Sequence, residues 1–299
     1  MTRFQADTVL LFVAIIWGTA FVAQKGSFEH VGPWTFVAFR FLLSFALVAP
    51  LAYREIKNGL AATLNTPAMK KDIWWLCPAF AAGVVLQQVG IGETTVTNAG
   101  FLTGLYVLFV PVICALFFKQ KISAWIFPAA FVSLAGLFLL VGGHLDGFSG
   151  GDLLVIASAL GFAVQVALVG RVMSCSKAPF TLSCIQYAAV AGIAFLGMFA
   201  FETPTLDGLS GAFWQIVYAG AISGAVAYTL QIVAQQYAPA SDSAIILSGE
   251  ALFAAIAGAL LLGDRLSPLQ YGGCALIALA IVMVEFAPLL RRKKKTIVA

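Results

Sequence analysis

The sequence predicts an all-α integral membrane protein: ten transmembrane helices in two inverted five-helix repeats. Three observations carry this expectation. Of the 299 residues, 61% are hydrophobic and only 10% charged, and the mean hydropathy is +0.97, a balance that does not suit a water-soluble domain. Apolar windows long enough to cross a hydrocarbon core of roughly 30 Å, which takes about 20 helical residues, recur along the whole chain. The two halves can also be laid over one another, and an odd number of spans in each half turns the second upside down relative to the first.

Charge, glycine and proline clusters place the spans of the first half at 8–25, 33–52, 73–92, 98–118 and 123–141. The first follows Arg3 and continues through "GTAFVAQK" with no clean small-x-small site, so a retained helix is expected rather than a cleaved signal peptide. The second opens on "GPWTF" and contains Arg40. The connection at 53–72, the longest, is too small for a catalytic domain. Within the fourth span, Pro111 reads as a static kink. Gly100 and Gly104 form a GxxxG spacing that reads as packing within the chain.

The second half gives 151–170, 180–200, 211–235, 242–262 and 267–288. Its second member opens on "APFTL", answering "GPWTF", and its third carries the GxxxG pair Gly220 and Gly224. The ninth span, "SGEALFAAIAGALLLG", holds Glu250, and its unbroken apolar run contradicts the weak alternation of a membrane β-barrel. At an offset of about 144 residues "GLYVLFVPVICALFFKQKIS" falls on "SGEALFAAIAGALLLGDRLS", which sets Tyr106 opposite Glu250. The expected organisation is therefore a first repeat at 1–144, an inverted second repeat at 145–290 and a basic tail at 291–299.

Basic residues orient the bundle. With the N-terminus inside, interior segments hold Arg3, then Arg54, Lys57, Lys70 and Lys71, then Lys119 and Lys121, then Arg171 and Lys177, and finally the "RRKKK" run at 291–295. Exterior loops hold only Lys25 and Arg265. The positive-inside rule then puts both termini in the cytoplasm, with the basic tail resting on anionic lipid rather than binding nucleic acid.

Several function classes are disfavoured. No G-x-x-x-x-G-K-[ST] loop is present to cradle nucleotide phosphates. Cys77, Cys114, Cys175, Cys184 and Cys274 show no paired spacing and read as packing residues, and His30 and His144 stand alone. No cofactor or metal is expected. An intramembrane enzyme would need a constellation such as a Ser and Lys pair, paired acids or a His cluster at spanning depth, and none is visible.

"AIIWGTAFVAQK", "FVAFRFLLSFAL", "NAGFLTGLYVLFVPV" and "LLLGDRLSPLQYGG" resemble the signatures of the drug/metabolite transporter superfamily in its ten-helix EamA-type branch, over the whole chain. The family's usual "GER" after the fourth helix is "KQK" here at 119–121, and the proline often following the acid of helix nine is Ala251. The resemblance implies a small-metabolite transporter, members typically exporting amino acids. It leaves the cargo open, because such signatures report the scaffold.

Internal polar residues are the candidates for substrate binding. Glu250 reads as a proton or substrate-ammonium site, or as an acid hydrogen-bonded to neighbouring helices; an ionised acid at that depth costs about 2.5 to 3.5 kcal/mol unless paired or hydrated. Arg40 reads as carrier of a substrate carboxylate, or as a scaffold residue that ties helix ends. Trp17, Tyr106, Tyr187 and Tyr228 offer aromatic faces with polar handles, and Gln87, Gln165, Gln186 and Gln231 offer amides, several of which should face the cavity between the halves. The expectation is a secondary transporter of the inner membrane, active as a monomer. It exports amino acids or similar metabolites, with protons as a further partner. The alternatives are a sugar or nucleotide-linked sugar carrier, and multidrug efflux by proton antiport.

Overall fold

The computed structural model describes residues 1–143, 149–257, 259–260 and 265–297, with side chains up to Val284 in the last helix. His144, the expected boundary between the repeats and the side chains of the basic run at 291–295 lie outside the described residues.

Capping chemistry sets the helix starts. At α1 (Arg3–Gly26), Thr2 accepts from the Gln5 backbone N–H and the Gln5 side chain returns to Thr2, a capping box. Helices α2 (Pro33–Lys57) and α3 (Pro67–Glu93) begin with proline in the first turn, where its missing N–H costs nothing. Both run further than hydropathy suggests, since residues 53–57 end α2 and 67–72 begin α3 behind the Thr66 cap. The expected 53–72 connection shrinks to Asn58, a left-handed Gly59 (φ 75°) and a 3-10 segment, Leu60–Asn65.

Next come α4 (Val96–Gly104), α5 (Tyr106–Leu116), α6 (Ile126–Leu140), α7 (Gly150–Met173), α8 (Pro179–Phe201) and the short α9 (Leu206–Gly211). The eighth span is a composite of α10 (Phe213–Val217), a π-helix (Tyr218–Tyr228) and α11 (Thr229–Ala234). The ninth joins α12 (Ala240–Leu247) to α13 (Glu250–Ala257), and α14 (Pro268–Ile297) is the tenth. Eight stretches among the described residues are long and apolar enough to cross a membrane; Ile126–Leu140 and Pro268–Val284, in the fifth and tenth places, are shorter apolar helices.

The packing follows a pseudo-two-fold axis. Helix α2 pairs with its counterpart α8, and α6 with α14. The α3 to α7 crossing is answered by α1 against the π-helix and α11, and α1 on α12 and α13 is answered by α7 on α4 and α5. Where α3 crosses α7 the backbones nearly touch, because a Cβ on Gly90 would lie 2.7 Å from the Gly151 carbonyl oxygen and one on Gly151 equally close to that of Gly90.

Reciprocal carboxylate clamps tie α2 to α8. Glu202, just past α8, accepts from the Trp34 and Thr35 amides at 2.9 and 2.8 Å and from the Thr35 hydroxyl. Glu55, near the end of α2, accepts from the Phe180 and Thr181 amides at 3.2 and 2.7 Å and from the Thr181 hydroxyl. Each acid satisfies donors that a helix N-terminus leaves open and complements its dipole. The "GPWTF" and "APFTL" motifs are the two halves of this device. Removing the buried Glu55 as Glu55→Ala should cost about 2 kcal/mol or more, lowering the thermal midpoint of the purified protein by about 5 °C. An unchanged midpoint would show the clamp to be idle.

Candidate functional site

A cavity lies between the repeats, walled by α1, α2, α3, α4, α5, α7, the π-helix and α13. Its free space is about 30 Å³, room for a water or two but not for a metabolite.

Arg40 reaches it from α2. The guanidinium stands 4.9 Å from the Phe41 ring centroid and 5.5 Å from that of Phe36, and Nη1 donates to Gln24 Oε1 at 3.1 Å. Its Nε has no partner. Glu250, the first residue of α13, is buried with Oε1 unpartnered. The two charges line the same cavity but form no ion pair with each other, the described pairs being Arg3 with Asp7 and Asp242, and Arg171 with Asp72. Tyr106 and Tyr228 line the same cavity, and the Tyr106 hydroxyl, like Glu250 Oε1, has no hydrogen-bond partner. Burying polar atoms without hydrogen-bond partners is expensive, so Arg40 Nε and Glu250 Oε1 carry a cost in this fold.

Two interruptions place these groups. The fourth span breaks at Leu105, just before Tyr106, and the ninth at Ser248–Gly249, just before Glu250. The breaks are equivalent under the repeat, and both are tightened by bonds to the third preceding residue, Leu105 to Leu102 and Gly249 to Ile246. Pro111, expected as a kink, lies inside α5 beyond the break. Gly18 lets α1 close directly on α13, since a Cβ there would sit 2.7 Å from the Glu250 carbonyl oxygen. Discontinuous helices whose half-helix ends face a midplane cavity are a recurrent way to build a substrate site.

The π-helix forms the next wall. Its carbonyls are taken up by three other helices: Ser44 donates to Gly220 O at 2.7 Å, Trp17 to Ser223 O at 3.3 Å and Tyr187 to Gly224 O at 3.1 Å. Wide turns of this kind are rare and concentrate at functional sites. The expected Gly220 and Gly224 packing is with α2 of the same chain, where a Cβ would meet the Arg40 carbonyl and the Ser44 hydroxyl; Gly100 and Gly104 likewise face Ala251 and Leu137.

Of the candidate residues read from sequence, Arg40, Glu250, Tyr106, Trp17 and Tyr228 line the cavity together, joined by Gln87 and Gln165. Trp17 packs on Tyr228 at 4.6 Å between ring centroids. Gln87 donates to Thr103 Oγ1 at 3.0 Å. Gln186, Gln231 and Tyr187 do not line it. Gln186 and Gln231 stand behind Gln165, accepting from it at 3.2 and 3.4 Å, and the network runs on through Gln235 to the Val166 carbonyl. Tyr187 instead meets Thr229 Oγ1 at 2.9 Å besides supporting Gly224. Helix rotation turns these three side chains to an interhelical seam.

Gln24, Thr103, Phe162 and Ser223 also line the cavity and were not singled out from sequence. Phe162 answers Trp17 at an offset of 145, one residue more than the offset that pairs Tyr106 with Glu250; Gln24, beside Lys25, reads as the end of a span. Lys25 itself caps α3, donating to the Ile91, Gly92 and Thr94 carbonyls at 2.8 to 3.1 Å. Among the described residues no three His, Cys, Asp or Glu converge where a metal ion could sit.

The chain has relatives at the level of sequence and of fold. A transporter of unassigned cargo from Archaeoglobus fulgidus is 30% identical over 284 residues, covering 95% of this chain and 86% of that one. The transporter YwfM of Bacillus subtilis is 27% identical over 305 residues, covering 96% and 95%. A solved crystal structure superposes with a TM-score of 0.77 over 97% of this chain and 98% of its own, at 17% identity, and so shares the fold. Residues 5–142 match the EamA-like transporter family, and residues 149–286 match it again, one match for each half of the bundle. The chain therefore belongs to the EamA-like transporter family.

Proposed function

We propose that the cargo is an amino acid or a similar small zwitterionic metabolite, exported by alternating access across an inner membrane with both termini in the cytoplasm. One observation carries the reading: a buried arginine and a buried carboxylate line one cavity without pairing. An amino acid brings the two complementary charges, and the Trp17 and Tyr228 rings suit its side chain. Because the cavity is too small for such a molecule, loading requires the walls to part. The interruptions before Tyr106 and Glu250 and the π-helix lie in those walls.

The test is flux from proteoliposomes loaded with labelled amino acids, sugars or nucleosides, with and without a pH gradient. Amino acids should be moved at the highest rate; preference for a sugar or nucleoside would overturn the assignment. For orientation, reporters placed near Asn58 and after Ala299 should report the cytoplasm and one near Asp207 the opposite side. Finding residues 207 and 299 on one side would defeat it.

A further inference from the structure

Two grooves on the outer surface of the bundle flank the N-terminal half of α3. One, about 500 Å³, runs between α3, α5 and α7; the other, about 540 Å³, lies between α3 and α8. Both open outward from the bundle, so in a membrane they meet lipid. Each carries a lysine with a tryptophan one helical turn further along: Lys71 with Trp75 in the first, Lys70 with Trp74 in the second. Trp75 is 59% exposed and Phe117 of the first groove 74% exposed. Aromatic rings left this open beside an exposed cation are the pattern of a membrane interface.

The first groove has a further feature at its charged end. Arg171 of α7 lies 2.8 Å from Asp72 and 4.8 Å from the Phe118 ring centroid, so its charge is already met within the protein. Lys71, beside that pair, enters no described ion pair, and the groove keeps one uncompensated positive charge above an apolar floor.

We propose that the groove between α3, α5 and α7 is a binding site for an anionic membrane phospholipid. Lys71 holds the phosphate, Trp75 sits at the glycerol level, and an acyl chain runs along Ile113, Phe117 and Leu168. A zwitterionic headgroup brings its own ammonium, which offsets the attraction to Lys71; an anionic one does not. The bound lipid touches α3 and α7 together, beside the Asp72 to Arg171 bridge that joins them.

The test uses the full chain in lipid nanodiscs with brominated phosphatidylglycerol or brominated phosphatidylcholine as quencher. The difference between the wild-type protein and Trp75→Phe isolates quenching at the groove. The anionic lipid should be favoured there by about fivefold, the effect of one basic residue near a charged headgroup. Lys71→Gln should bring the ratio to about one, Lys71→Arg should keep it, and Lys70→Gln, in the twin groove, should leave it unchanged. Equal quenching by the two lipids in the wild-type protein, or a preference that survives Lys71→Gln, would overturn the proposal.

Discussion

Glu250→Gln is expected to reduce flux of an amino acid by about 10- to 100-fold, the worth of one charge-assisted hydrogen bond to the substrate ammonium. The amide keeps the shape of the side chain, and Gly18 still lets α1 close over the start of α13. Stability should hold, because Glu250 Oε1 has no hydrogen-bond partner for the substitution to break. The substrate can be varied as well as the residue. A carboxylic acid lacking the ammonium should be carried equally by the wild-type protein and the variant, which separates loss of a substrate contact from general damage. Any response of flux to pH should disappear along with the carboxylate. Unchanged amino-acid flux with a lowered thermal midpoint would make Glu250 a structural residue.

Glu250 and Arg40 stand out because a charge in an apolar run is costly in lipid. Tyr106 was reachable through the repeat, being opposite Glu250. Counting from Pro33 and Pro179, Arg40 likewise falls opposite Gln186, so one repeat supplies the cation and the other the carboxylate, each answered by a neutral residue. Which amides face the cavity was not legible, because helix rotation depends on packing between spans. The π-helix was hidden for a related reason. "YAGAISGAVAY" carries no local mark of its wide turns, which are stabilised from outside by Ser44, Trp17 and Tyr187. The start of α3 was obscured by Lys70, Lys71 and Asp72, whose charges read as a loop until the Thr66 cap and Pro67 are weighed. The partners of the matching "GPWTF" and "APFTL" motifs, Glu202 and Glu55, lay at helix ends that hydropathy does not rank.

Arg40→Lys should lower the flux of carboxylate-bearing substrates by about 10-fold or more while retaining the positive charge. Lysine offers a point charge in place of the planar fork that meets a carboxylate in two parallel hydrogen bonds. In the wild-type protein the fork is held by the Phe41 and Phe36 rings and by Gln24, with Nε still free. An ammonium lying over the same rings keeps part of the stacking, so the cost in stability should be about 1 kcal/mol or less. The discriminating measurement compares an amino acid with the amine that lacks its carboxylate. The wild-type protein should favour the amino acid, and Arg40→Lys should narrow the gap by slowing the amino acid while leaving the amine nearly unchanged. If Arg40 serves only to hold α2 against α1 through Gln24, the variant should lose stability and slow both substrates in proportion. The two accounts therefore differ in the ratio of the two fluxes, a quantity that does not depend on how much folded protein each preparation contains.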